Sequence, residues 1–443
     1  MQIEQQIAEI QNVVDDVLKM ATSKGATQAE ASMSKVQGIA VSSRMKEVEN
    51  VEFTNDGGLG ISVYVGKHKG SASTADLSPQ ALALTVEKAI DIARYTSEDP
   101  CTGLADAELM ATEFPDLDLY HPQELDPQHA MQLAIETEAA ALDYDPRIIN
   151  SDGASYNANH GMRVYGNTHG INAGYPSTRY SLSCMMIGAQ GDDMQRDYAY
   201  TISRKPDGLD AATKIGREAS EATIARLGAQ KINTANVPVI MQKDVASSLF
   251  GHYVGAISGG SLYRRSSFLL DKLGEQIFPQ WLNIEEKPRL KGGLASANFD
   301  AEGVATHDAT VVDQGRLAQY LFTTYSSRKM NTQSTGHAGG IHNWIVGDTG
   351  HTDAQLLKEM DTGLLVTELM GQGVSTVTGD YSRGAAGFWV ENGVIQYPVH
   401  EITIAGNLKD MFANIRAIGS DRDVRGGVQT GSVLIDNMKI AGN

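Results

Sequence analysis

Cysteine is almost absent from this chain: Cys101 and Cys184 are the only two in 443 residues, and they stand in no Cys-x-x-Cys arrangement. That excludes a disulfide framework and a thiolate zinc site, and leaves both thiols to be read as small buried hydrophobes. Basic residues are also in deficit, 36 against 54 acidic, for a formal charge of −18. A surface of that sign argues against a nucleic-acid backbone or an anionic membrane as the main partner. Nowhere do 18 apolar residues run together, and the first residues lack a basic segment followed by an apolar one, so the expected location is the cytoplasm. Phosphate-binding glycine motifs are missing, as is the Gly-x-Ser-x-Gly elbow of serine hydrolases.

What is present is a globular composition, 41% hydrophobic, with 45 glycines against 12 prolines, which points to many turns and hairpins. The length exceeds what one core supports. Helical spacing recurs at Ile3, Ile7, Ile10, Val14 and Val17, and again behind Ser78-Pro79 and Asp126-Pro127, each pair offering a cap and a first-turn proline. Strand-like alternation fills residues 29–74, with a turn expected at Asn55, Asp56, Gly57 and Gly58. It returns over 148–203, with breaks at Gly161, Gly166, Gly170 and 188–193. A boundary near 231–237 gives domains 1–233 and 234–443. The expected fold class is α+β, with large antiparallel or mixed sheets covered by helices and a hairpin-rich second domain. Glycine-rich loops are expected at 335–344 and 379–388, a helix over 407–418 and a strand over 432–435.

The second domain opens with an apolar helix, 244–260, whose stripe is Val245, Ala246, Leu249, Phe250, Tyr253, Val254 and Ile257, with Asp244 as its expected cap. Gly251, Gly255, Gly259 and Gly260 interrupt or follow it, each interior glycine costing about 1 kcal/mol relative to alanine. They predict a close approach there. His252 stands alone in this stripe. His400-Glu401 is the only His-Glu pair, and the alternation after it reads as a strand with no second histidine. His337 and His342 flank a glycine loop near His351, but no adjacent Cys, Asp or Glu completes a metal set.

The runs FDAEGVAT at 299–306, FTTYSSRK at 322–329, TGHAGG at 335–340 and GDYSRGAAGF at 379–388 together resemble the TldD/PmbA family, also described as modulators of DNA gyrase, and within it the PmbA (TldE) branch. The resemblance spans essentially the whole chain. It implies a cytoplasmic bacterial metallopeptidase in which a TldD subunit pairs with a TldE subunit to cut unfolded or leader peptides. The TldD branch carries His-Glu-x-x-x-His for zinc and water activation, and a cysteine near the C-terminus. Here Phe250 and Gly255 fall at the histidine positions, Gly251 at the glutamate and Gly431 at the cysteine. The resemblance therefore implies a non-catalytic subunit with no cofactor of its own, zinc being held by a TldD-like partner. Alone, the chain has a homodimer open to it. Asn298, Tyr325, Arg328, His337, Asn343 and Arg383 are the candidates for lining a peptide groove. The alternatives are an active metallopeptidase using a set such as His337 and His342, or a non-enzymatic regulator of a folded partner such as DNA gyrase.

Overall fold

The structure, a computed structural model, describes residues 3–442. In the first half, strands β1 (Gln28–Arg44), β2 (Glu47–Val65), β3 (His68–Thr74), β4 (Ile148–Asn167), β5 (Asn172–Gln190) and β6 (Asp193–Ser203) form one antiparallel sheet in the order β3-β2-β1-β4-β5-β6. Along β1, Ala29, Ala31, Met33, Ile39 and Val41 are all buried, and their even spacing places them on one face. Helices cover that face in pairs. α1 (Ile3–Ser23) and α2 (Pro79–Tyr95) pack around Ala29, Ala31 and Met33, whereas α3 (Pro127–Leu142) and α4 (Ala212–Ala225) pack around Ile39 and Val41. As the sequence predicts, Ser78 and Asp126 cap α2 and α3 by accepting from the Ala81 and Gln128 N–H groups, with proline at the first turn.

The expected turn at Asn55, Asp56, Gly57 and Gly58 is not there. Those residues lie inside β2, paired with Gln37, Val36, Lys35 and Ser34. The chain reverses instead at Met45 and Lys46, whose φ values of 52° and 66° are left-handed. Both of their N–H groups donate to the carboxylate of Glu138, a buried residue of α3. A tertiary acceptor selects this turn over the local turn chemistry. Gly161, Gly166 and Gly188 likewise sit within β4 and β5 rather than breaking them.

The second half contains β7 (Ala235–Met241), β8 (Ile284–Glu286), β9 (Ala309–Asp313), β10 (Arg316–Leu317), β11 (Trp344–Val346), β12 (Gly363–Met370), β13 (Asp380–Glu391), β14 (Val394–Asn407), β15 (Ile415–Ile418), β16 (Val428–Gln429) and β17 (Val433–Ala441). A small sheet runs β10-β9-β8-β11-β16, and a larger one runs β14-β13-β12-β7-β17-β15. Pairing of Thr403, Ile404 and Ala405 in β14 with Ala441, Ile440 and Lys439 in β17 closes the larger sheet into a ring. Helices α5 (Lys243–Ile257), α6 (Gly259–Tyr263), α7 (Thr324–Lys329), α8 (Asp353–Met360) and α9 (Leu408–Ala413) complete this half.

Two expectations are corrected here. Residues 407–418 divide into α9, capped by Asn407, and strand β15, because Ile415, Ala417 and Ile418 are buried against β17. Residues 379–388 are not a loop but lead into and run along β13. Its glycines serve close strand approach, since a Cβ on Gly387 would meet Leu365 O at 1.9 Å.

Side chains cross between the halves, and those of the second reach both main-chain and carboxylate groups of the first. Arg328 donates to the carbonyls of Cys101, Gly103 and Leu104, and Tyr325 Oη donates to Asp99 at 2.7 Å. Arg328→Ala is expected to cost about 2 kcal/mol, in line with hydrogen bonds from a charged donor, and to accelerate proteolysis between residues 96 and 106. An unchanged cleavage rate in that segment would show that the arginine does not hold it.

Candidate functional site

Helix α5 sits where the two sheets of the second half meet. Leu249, Phe250, Tyr253 and Ile257 share one cluster with Ile284 and Trp344 of the small sheet and with Val239, Val366 and Val433 of the ring. Gln242, not Asp244, occupies the cap position, and Asp244 is drawn away by Arg425. Phe250 is wholly buried and stacks on Phe278 with centroids 6.3 Å apart. Gly251 is exposed, and beyond the helix's own backbone and the flanking residues no heavy atom lies within 4 Å of where a Cβ would stand on Gly251 or Gly255. The expected close approach is therefore not made at these two glycines within this chain. It is made at Gly259, where a Cβ would meet Ser326 Oγ at 2.3 Å and Phe322 Cδ1 at 2.6 Å. At Gly431 a Cβ would meet Gly419 O at 1.9 Å, so the backbone itself seals that position.

His252 lies edge-on to Tyr381 with centroids 5.9 Å apart, and burial pushes its imidazole down, with the Arg383 charge adding to the effect. His252 Nε2 has no hydrogen-bond partner among the described residues, and the side chain near Tyr381 Oη is that of Arg383. His400 and Glu401 are on β14.

A second polar centre forms around the glycine loop, and here the sequence reading needs correcting. Glu286, from β8, completes a set with His337 and His342 that no sequence neighbour supplies; their ligand atoms lie within 4.8 Å of one another. His337 Nε2 meets Glu286 Oε2 at 2.6 Å, and the His342 N–H donates to Oε1 at 2.6 Å. His337 Nδ1 meets Thr335 Oγ1 at 2.8 Å, which orients the ring. Burial alone would raise Glu286, but the hydrogen bonds from His337 and His342 and the His337 charge outweigh it and hold the carboxyl at about 2. Beside this loop, burial pushes Asp300 up to about 6, against the N–H groups of Ala338, Glu302 and Val304 that donate to it.

Two imidazoles and a carboxylate are a donor set that zinc accepts, and in this structure they bond to one another. Ligands about 2.0–2.1 Å from a tetrahedral ion stand roughly 3.3 Å apart, whereas Glu286 and His337 are already in hydrogen-bond contact, and the other carboxylate oxygen is taken by the main chain. As placed, the three groups fasten β8 to the loop. The signal for Glu286 was its even spacing from Ile284, which puts both on the inward face of β8.

The remaining groove candidates are dispersed. Asn343 is fully buried and ties its own loop to Lys287 O and Ser296 Oγ. Asn298 is buried, donates to Pro115 O and leaves Oδ1 unpartnered. Tyr325 and Arg328 serve the junction of the halves. Arg383 lines an open cavity with Ser248 of α5.

Models of the PmbA/TldA metallopeptidase family match along the chain: domain 1 over residues 29–93, the central domain over 120–227 and the C-terminal domain over 234–442. The metalloprotease PmbA of Escherichia coli O157:H7 is 56% identical over 441 residues, covering 100% of this chain and 98% of that one. This chain belongs to the PmbA/TldD metallopeptidase family. A PmbA homologue of Haemophilus influenzae is 55% identical, covering 98% of this chain and 96% of its own length. Among solved structures, a candidate modulator of DNA gyrase from Bacteroides thetaiotaomicron superposes with a TM-score of 0.94 at 27% identity, covering 98% and 99% of the two chains. TldE from Thermococcus kodakarensis has the same fold, with a TM-score of 0.83 at 19% identity, covering 97% and 100%. In this PmbA/TldD family member, no helix among the described residues is long and apolar enough to cross a membrane.

Proposed function

We propose that this chain is the TldE-like, non-catalytic subunit of a cytoplasmic TldD–TldE metallopeptidase that cuts unfolded or leader peptides, with zinc and the water-activating glutamate supplied by a TldD-like partner. The observation that carries this reading is the state of α5. The positions that the family resemblance assigns to zinc chemistry hold a buried phenylalanine and two bare glycines, and the cysteine position is closed by Gly419 O. A zinc-bound water reaches a near-neutral pKa only where three donors hold the ion and a fourth position stays open. This helix does not offer that arrangement.

The test mixes the full chain with a TldD-like protein and follows cleavage of an unstructured peptide. Cleavage is expected from the mixture and not from this chain alone, and a chelator should abolish it. Stoichiometric zinc on this chain by itself, lost together with peptidase activity on His337→Ala, would overturn the reading in favour of a self-sufficient enzyme.

A further inference from the structure

Among the described residues, Glu286, His337 and His342 are the one group of three whose potential ligand atoms lie within 4.8 Å of one another. The fold assembles this polar lock from two places. Glu286 stands on the inward face of β8, and the two histidines bracket the glycine turn that leads into β11, the strand paired with β8. Trp344 lies opposite Glu286 in that pairing, so the end of the loop is tied beside the carboxylate. Side-chain exposure is 1% for Glu286, 5% for His337 and 10% for His342.

Each donor already has the support that a ligand needs. His337 turns Nε2 toward the carboxylate while Thr335 Oγ1 engages Nδ1 at 2.8 Å, and a partner on the far nitrogen is what fixes the ring of a metal-binding histidine. Glu286 Oε1 accepts the His342 N–H, which holds the carboxylate in place while Oε2 faces His337. His342 Nδ1 is 3.4 Å from Oε1, close to the roughly 3.3 Å that separates two ligands of one tetrahedral ion. The 2.6 Å contact between His337 Nε2 and Oε2 is too short for that, by about 0.7 Å. The loop has room to give. Gly339 and Gly340 are exposed and left-handed, with φ of 98° and 128°, and nothing lies within 4 Å of where a Cβ would stand on Gly340.

We infer that Glu286, His337 and His342 bind a divalent ion of the late first-row transition series, of which zinc is the type, in place of the proton that joins His337 to Glu286. Two imidazoles and one carboxylate suit such an ion, whereas magnesium and calcium favour all-oxygen sets. Buried as the three side chains are, the ion is walled off from any peptide, so its role is structural: it fastens β8 to the loop, and cleavage stays with the partner. The site stands on this geometry and does not rest on the subunit reading. Binding has to open an existing hydrogen bond, and only molecules with the lock open are competent. A Kd of about 1 μM is therefore expected. Zinc then leaves during gel filtration in zinc-free buffer, and the purified chain carries less than one ion per molecule.

The experiment uses the full-length chain, stripped with a chelator and dialysed. Cobalt(II) is titrated in near neutral pH and followed by its visible ligand-field absorption, then displaced with zinc, with magnesium as the control. One cobalt per chain is expected, displaced by zinc and indifferent to magnesium. His342→Ala keeps the main-chain bond to Oε1 and the His337 contact, and should weaken binding by about tenfold or more. His342→Gln serves as the second variant where circular dichroism shows the alanine variant misfolded. His351→Ala, whose ring pairs with Glu359 at 2.8 Å instead, should leave binding unchanged. Zinc should raise the unfolding midpoint of wild type and not that of the His342 variants. Absence of a saturable cobalt spectrum, or an affinity unchanged in the His342 variants, overturns the site and leaves the subunit reading intact. Zinc binding at these residues accompanied by peptide cleavage from this chain alone overturns the structural role and the subunit reading together.

Discussion

Glu286→Ala is expected to destabilise the protein by about 3–5 kcal/mol, the range for removing one member of a buried ion pair. Glu286 is 1% exposed, and its carboxylate is the acceptor for the ring of His337 and the main chain of His342. Without it, buried donors lose their partner, and each orphaned group adds its own desolvation cost. Glu286→Gln should lose less, because the amide oxygen still accepts one bond. The pH dependence separates the charge from the shape. Glu286 is held at about 2 against an ordinary value of 4.5, so its stabilisation is fully present above 4.5 and is lost as the pH falls toward 2. The gap corresponds to about 3 kcal/mol. Urea melts of wild type and Glu286→Gln should therefore converge by about 2 kcal/mol between pH 5 and pH 3. A difference that stays constant with pH would mean that the carboxylate is not ionised in the fold.

Rebuilding the zinc motif on α5, by combining Phe250→His, Gly251→Glu and Gly255→His, is expected to yield no peptidase and less than stoichiometric zinc. The three positions respond in opposite ways. Gly251 and Gly255 face open space, so side chains fit there and each replacement removes a helical glycine, for a gain of about 0.5 kcal/mol. Phe250 is different: it fills the core against Phe278. An imidazole there leaves part of that volume empty and buries a polar ring without a partner, for a loss of about 3 kcal/mol. Denaturation of the three single variants should show this split, and atomic absorption should find less than one zinc per chain in the triple variant. One zinc per chain with chelator-sensitive hydrolysis would show instead that the helix needs only its donors to work.

The elements legible in the sequence were those whose cause is local. The proline-led starts of α2 and α3 and the apolar stripe of α5 depend on neighbours within a turn or two. Where a distant group decides, the local signal misleads. Glu138 moves the first hairpin turn from Asn55–Gly58 to Met45 and Lys46, and β17 draws Ile415, Ala417 and Ile418 out of the helix expected there. The polar lock shows the same limit: His337 and His342 were visible as a pair, but Glu286 arrives from a strand some 50 residues earlier.

The ring of the second half also dictates when this protein can finish folding. β7 pairs with β17, Val237 opposite Met438, across about 200 residues. At about 5–20 residues per second, a growing chain waits roughly 10–40 s between making the first of these strands and the last. Through that interval Val239 and Met241 have no β17 to cover them, and the contacts that bury them are among the most non-local in the molecule. The first sheet, complete by residue 203, is free to fold long before. The nascent protein thus has a finished half carrying an open one, and the period before residue 441 emerges is when a chaperone has most to protect.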